Sequence, residues 1–156
     1  MSRIYLGLGS NLGDKEAFLY QAIKRIEKQI GPIVARSVFF VSEPWGFESG
    51  NSFLNACVVA ETTISPKECL LLLKGIEGAL GRPEKASDEY KDRVIDLDIL
   101  FYDNLVLEEP NLIIPHPLVQ PRKFVLEPLA EIAPDLVHPI FGKTIKQLLT
   151  ELNEQS

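Results

Sequence analysis

The sequence predicts an α+β domain built on one antiparallel sheet, and three observations carry that prediction. Segments 15–30 and 66–80 place apolar residues at i, i+3, i+4, i+7 and i+11, the spacing of a helix that buries one face. Segments 3–9, 33–41, 53–62 and 94–102 are short and apolar, mostly rich in β-branched and aromatic residues, and read as strands. Their order is strand, helix, strand, strand, helix, strand. This is the split βαβ pattern of a ferredoxin-like sheet, with both helices on one face and the other face left for a site.

The first strand runs into Gly7, Gly9 and Gly13, which bracket Ser10 and Asn11. Position 12 is leucine where a dinucleotide fingerprint needs glycine, and no Gly-Lys-Ser/Thr follows as a Walker loop would require. A tight turn explains the segment, with Asp14 and Glu16 complementing the positive end of the next helix. That helix buries Leu19, Ala22, Ile23, Ile26 and Ile30, and Gly31 with Pro32 stops it. In strand 53–62, Leu54, Ala56, Val58 and Ala60 face the core, so Asn55 projects from the opposite side. The second helix buries Cys69, Leu72, Leu73, Ile76 and Leu80 and ends at Gly81. After strand 94–102, Asp103 and Asn104 turn the chain into a further strand at 105–108. Two shorter helices, 124–132 and 144–152, are C-terminal additions to this core. One domain over 1–156 is expected.

A chain of 156 residues can bury roughly 68 to 70% of its unfolded surface and needs no covalent staples. Cys57 and Cys69 lack the spacing of a redox pair or zinc site, so buried free thiols and a cytoplasmic location are expected. No basic leader precedes an apolar stretch, and no segment reaches about 18 apolar residues, which argues against secretion or membrane insertion. The net charge of −6 argues against broad binding to nucleic acid or anionic membrane. Any polyanionic ligand is therefore small.

The most informative chemistry lies at Asp96 and Asp98, which alternate with Ile95, Leu97 and Ile99. In a strand both carboxylates share the face opposite the core, with alpha carbons roughly 6.6 Å apart. Such a pair suits magnesium, which takes one or two carboxylates and completes its shell with water and substrate phosphates. A solvated or charge-protected edge strand is the competing reading. Two connections, 42–52 and 81–92, exceed the roughly 2 to 6 residues that their elements need. The first carries Pro44, Trp45, Gly46 and Phe47, and with Asn55 it would suit a flat heterocycle; Trp45 and Phe53 sealing a small satellite core is the competing reading, and the one that aromatics more often serve. The second carries Arg82, Lys85 and Lys91, with Arg93 just beyond, and reads either as a lid over a triphosphate or as a solvated connector balanced by Glu84, Asp88, Glu89 and Asp92. A third cluster joins Pro115, His116 and Pro117 to Arg122, Lys123 and Phe124, a phosphate-binding set or a polar surface turn. His138 has less company.

Six pieces taken in order are GLGSNLGD over 7–14, Pro44-Trp45-Gly46 with Phe53-Leu54-Asn55, Gly81-Arg82, RVIDLDI over 93–99, Pro115-His116-Pro117, and RKFVLEPL over 122–129. Together they resemble the 6-hydroxymethyl-7,8-dihydropterin pyrophosphokinase family of folate biosynthesis over nearly the whole chain. The resemblance implies a ferredoxin-like fold, a monomer, ATP as donor, and transfer of its β,γ-diphosphate to the pterin hydroxymethyl group with release of AMP. It implies that Asp96 and Asp98 bind two magnesium ions and that Arg82, Arg93, His116 and Arg122 surround the triphosphate. On the pterin side it implies Asn55 at the ring edge and Phe53 with Phe124 as a sandwich. The backbone around Ser42, Glu43, Pro44 and Trp45 completes that recognition, and Asp96 also contacts the hydroxyl. Departures fall in the lid: Tyr90, Lys91 and Asp92 replace the usual tryptophan and Gly-Pro, and Glu84 stands where a basic residue is common. Lys85 is expected to supply part of the missing charge. A ferredoxin-like regulatory module that binds a small ligand without catalysis is the alternative, and it leaves Asp96 and Asp98 without a shared task.

Overall fold

The computed structural model describes residues 1–43, 50–81 and 94–155. Strand β1 (Ser2–Ser10) leads to helix α1 (Lys15–Gln29), strands β2 (Ile33–Arg36), β3 (Phe40–Ser42) and β4 (Phe53–Thr62), and helix α2 (Pro66–Ala79). Strand β5 (Asp96–Tyr102), the hairpin of β6 (Leu107–Glu109) and β7 (Leu112–Ile114), and helices α3 (Lys123–Ile132) and α4 (Ile145–Glu154) complete the order. The main sheet runs β2-β4-β1-β5 with β3 continuing the β2 edge along β4, and every pairing is antiparallel. That is the ferredoxin-like arrangement.

Local chemistry explains the boundaries. Asp14 caps α1 by accepting the Ala17 N–H at 3.1 Å, Ser65 caps α2 through the Glu68 N–H, and Thr144 with Gln147 forms a reciprocal capping box on α4. Gly31 passes so close to β4 that a Cβ there would overlap the Glu61 carbonyl, which is why no larger residue fits between α1 and β2.

The segment expected as one strand over 33–41 is two. Ser37 donates its N–H to the Cys57 carbonyl at 2.9 Å and accepts the Cys57 N–H on its own Oγ at 3.0 Å. A side chain thus replaces a backbone carbonyl in the ladder, and the chain steps outward. Arg36 faces Val58 whereas Phe40 faces Asn55, so the edge gains a residue over β4. The Glu131 carboxylate of α3 accepts the freed Val38 N–H at 3.2 Å. Likewise, the single strand expected at 105–108 is the first arm of a hairpin, β6–β7, separate from the main sheet.

Alternation along the strands sorts the core into two layers. Ile4, Leu6, Leu8, Val58, Ala60, Leu97 and Ile99 pack under α1 and α2 with Leu19, Ile26, Leu73 and Ile76. Tyr5, Cys57, Val59, Leu100 and Phe101 pack under α3 and α4 with Leu126, Leu129, Ile145 and Leu148. The face expected to lie open is therefore covered over much of its area, because the C-terminal helices need a surface on which to bury their own apolar stripes. Among the described residues, the end of that face near Gly9 and Asp96 stays clear of the C-terminal helices, and a smaller cavity beside Tyr5 and Val59 opens at the other end. A bulge in β5 opposite Tyr5 and Leu6 turns Leu100 and Phe101 to the same face and re-phases the strand beside that site.

Both cysteines are buried free thiols, as expected, and burial raises both pKa values, Cys69 to about 11. His138 is a structural group, not a lone surface histidine: it is 2% exposed, lies edge-on to Phe101, and accepts the Ile140 N–H on Nδ1 at 3.2 Å. No helix among the described residues is long and apolar enough to cross a membrane.

Candidate active site

Three strands build the floor. Asp96 of β5 pairs with Gly9 of β1, Gly9 with Asn55 of β4, and Asn55 with Phe40 of β3, so these residues form one row across the sheet. Asp98, Gly7 and Cys57 form the next row, and Ser42 pairs with Phe53 on the other side. Cross-strand partners project from the same face, here the face opposite α1 and α2. Gly7 lies under the buried Leu100 side chain, whereas Gly9 leaves a trough between Asp96 of β5 and the side chains of β4. A Cβ at Gly9 would meet Asn55 Oδ1 at 3.3 Å and Phe53 Cδ1 at 3.5 Å, so the β4 wall leans over it.

Asn55 is buried, and its amide orientation is fixed by chemistry. Nδ2 donates to Ser42 Oγ at 2.7 Å and to the Phe40 carbonyl at 3.3 Å, and a carbonyl can only accept. Oδ1 is left toward Gly9 as an acceptor for a ligand N–H. Phe53 contributes an aromatic surface beside it.

On the other side of the trough, Asp96, Asp98, His116 and Arg122 line one cavity of about 550 Å³, whose far wall comes from α2 and the β6–β7 hairpin. Leu97 and Ile99 are buried under the helices while Asp96 and Asp98 stay partly accessible, as the strand alternation required. His116 is held by its backbone N–H to the Leu100 carbonyl and by its ring, where Nδ1 accepts the Leu118 N–H at 3.1 Å. The neutral ring therefore carries its hydrogen on Nε2. Burial first and the Arg122 charge second lower its pKa to about 4, against a smaller opposing pull from Asp96. At neutral pH the His116 ring is uncharged and can donate through Nε2. Arg122, at the start of α3, is 6% exposed, and its guanidinium lies 5.5 Å from the Phe124 ring centroid.

Of the residues singled out from sequence, Asp96, Asp98, His116 and Arg122 converge on the cavity, while Ser42, Phe53 and Asn55 share the adjoining strands. Phe124 sits by Arg122, and Glu43 follows Ser42 as an exposed residue. Pro44, Trp45, Arg82, Lys85 and Arg93, with the departures at Glu84, Tyr90, Lys91 and Asp92, lie outside the described residues. Sequence reasoning missed Lys74 and Glu77, which also line the cavity, and it placed Gly9 at the end of the first strand and in the glycine-rich turn without giving it a place in the site. Glu77 carries a usable signal: it falls four residues after buried Leu73, a position where a carboxylate needs a specific partner. Among the described residues no group of three or more His, Cys, Asp or Glu could hold a metal by itself. The pair Asp96 and Asp98 fits magnesium, which draws its remaining ligands from water and phosphate.

Comparison with known proteins gives the family and the fold. A protein from Methylorubrum extorquens, named 2-amino-4-hydroxy-6-hydroxymethyldihydropteridine pyrophosphokinase, is 44% identical over 154 residues, 98% of this chain and 95% of that protein. One of the same name from Aquifex aeolicus is 39% identical over 151 residues, 97% of this chain and 92% of the relative. A solved structure of Plasmodium falciparum HPPK-DHPS superposes with a TM-score of 0.80 at 18% identity, covering 99% of this chain and 44% of that longer one, and supports the fold. The profile of the 7,8-dihydro-6-hydroxymethylpterin-pyrophosphokinase family matches residues 5–134, and with relatives of this identity over nearly full length the chain belongs to that family.

Proposed function

We propose that the protein transfers the β,γ-diphosphate of ATP to the hydroxymethyl group of 6-hydroxymethyl-7,8-dihydropterin, giving AMP and the pterin diphosphate, with the trough and cavity as its two substrate sites. The observation that carries this is the junction of the two sites at Asp96, which lines the cavity and pairs across the sheet with Gly9. Asn55 Oδ1 accepts a ring N–H of the pterin while Phe53 and Phe124 stack on it, which orients the hydroxymethyl group toward Asp96. Arg122 offers its planar fork to phosphate oxygens, and His116 donates through Nε2 without changing its own charge. Asp96 and Asp98 would hold two magnesium ions, which when bound neutralise triphosphate charge and lower the pKa of the attacking hydroxyl.

Little covalent chemistry is then required of the protein; it positions two substrates and balances charge. Arg82, Lys85 and Arg93 complete the charge clamp in this reading, and Ser42 to Trp45 complete the pterin pocket. Residues 1–156 act as one domain and as a monomer. The test is product analysis with ATP, magnesium and the reduced hydroxymethylpterin. Equal amounts of AMP and pterin diphosphate are expected, and ADP or free phosphate in their place would refute the reaction.

A further inference from the structure

Among the described residues, strand β5 is an outer strand of the main sheet, with no strand paired along its outward edge. At Leu97, between the two aspartates, α2 supplies the missing partner: Glu77 Oε2 accepts the Leu97 N–H at 2.8 Å. Glu77 is 9% exposed and borders the same cavity as Asp96 and Asp98. Long exposed side chains serve solvation, whereas a buried carboxylate on a main-chain donor fixes a backbone position.

The direction of a strand side chain follows from its backbone, and Leu97 is the hinge of the pair. Its side chain packs under α1 and α2 while its N–H is fixed by Glu77, which leaves the peptide planes on either side little freedom. We propose that Glu77 is a positioning residue that, by accepting the Leu97 N–H, holds segment 96–98 so that both aspartates project together into the cavity. The inference rests on the assigned reaction, and it concerns the acceptor atom, not the negative charge. Partners that orient metal-binding side chains change activity by about 10- to 100-fold when removed.

Three variants separate acceptor from charge. Glu77→Gln keeps an acceptor at the same reach and loses the charge; Glu77→Asp keeps the charge and withdraws the acceptor by one methylene; Glu77→Leu removes both. Each is read by melting temperature, by hydrogen exchange at the Leu97 amide in the protein without nucleotide, and by kcat and the pterin KM. Glu77→Gln is expected to keep kcat within about threefold and to keep the amide protected. Glu77→Asp, and Glu77→Leu where it folds, are expected to lose about 10- to 100-fold in kcat with faster Leu97 exchange and an unchanged pterin KM. The reverse order, with Asp active and Gln inactive, or full activity in a variant whose Leu97 amide has lost protection, overturns the proposal. Wild-type formation of AMP distinguishes the two levels: without it the assigned reaction fails, and with it only the variants decide the role of Glu77.

Discussion

Gly9→Ala puts one methyl group into the floor of the trough, and the geometry gives its effect two opposite signs. The backbone at Gly9 is ordinary β-strand, so alanine carries no strain there and reduces the freedom of the unfolded chain, a gain of about 0.4–1 kcal/mol in stability. The methyl would stand 3.3 Å from Asn55 Oδ1 and 3.5 Å from Phe53, tighter than ordinary contact for the first. Asn55 cannot yield freely, because its Nδ2 is tied to Ser42 and Phe40. The added carbon therefore displaces the acceptor from its place or occupies volume needed by a flat ring. One methylene of misfit in a close pocket is worth about 1–3 kcal/mol, or roughly 10- to 200-fold in affinity. Thermal unfolding with titration of pterin in the presence of a nonhydrolysable ATP analogue reads both terms. A melting temperature equal to or above wild type with a pterin Kd raised at least tenfold is expected. Wild-type pterin affinity would refute the assignment of this trough.

Further outcomes follow from the same geometry. Asp96→Asn and Asp98→Asn should each fold with a melting temperature near wild type and lose at least about 100-fold in kcat at saturating magnesium, the scale on which a group aimed at developing charge acts; near-normal turnover in either would count against the carboxylate pair. His116 sits at a pKa of about 4 in the folded protein against an ordinary 6.5. Between those values the unfolded chain binds a proton that the folded one does not, so stability falls as pH drops from 6.5 to 4, by on the order of 3 kcal/mol at most. His116→Gln should flatten that acid limb in urea unfolding at stepped pH, and an unchanged slope would contradict the buried neutral ring; His138, also lowered by burial, keeps its own share in both proteins. Gly31→Ala should cost at least about 2 kcal/mol in the same unfolding assay, since its Cβ meets the Glu61 backbone, which cannot rotate away. A melting temperature equal to wild type would show that this crossing has slack.

The main architecture was legible because two periods, 3.6 and 2, run cleanly through the helices and central strands. Asp96 and Asp98 were legible for the same reason: Ile95, Leu97 and Ile99 mark their strand so clearly that the shared face of the acids follows. Where a side chain takes over a backbone task, the pattern fails to report it. Ser37 in the ladder splits the edge strand, yet valine and phenylalanine on either side read as unbroken β-structure. The spacing of Glu77 from Leu73 marks it as an acid in need of a partner, but does not show that the partner is a backbone N–H twenty residues on. The cover provided by α3 and α4 was hidden for a different reason, since an apolar stripe shows that a helix buries a face but not against which layer. His138 was under-read because the groups that hold it, the Phe101 ring and the Ile140 N–H, meet it only in the folded turn.

Crystals grown with magnesium, a nonhydrolysable ATP analogue and the reduced pterin measure the central claim directly. Two ions contacting both Asp96 and Asp98, with the pterin over Gly9 and its hydroxymethyl oxygen aimed at the β-phosphorus, is the predicted arrangement. Triphosphate bound away from these carboxylates, or pterin outside the trough between Asn55 and Asp96, would contradict it.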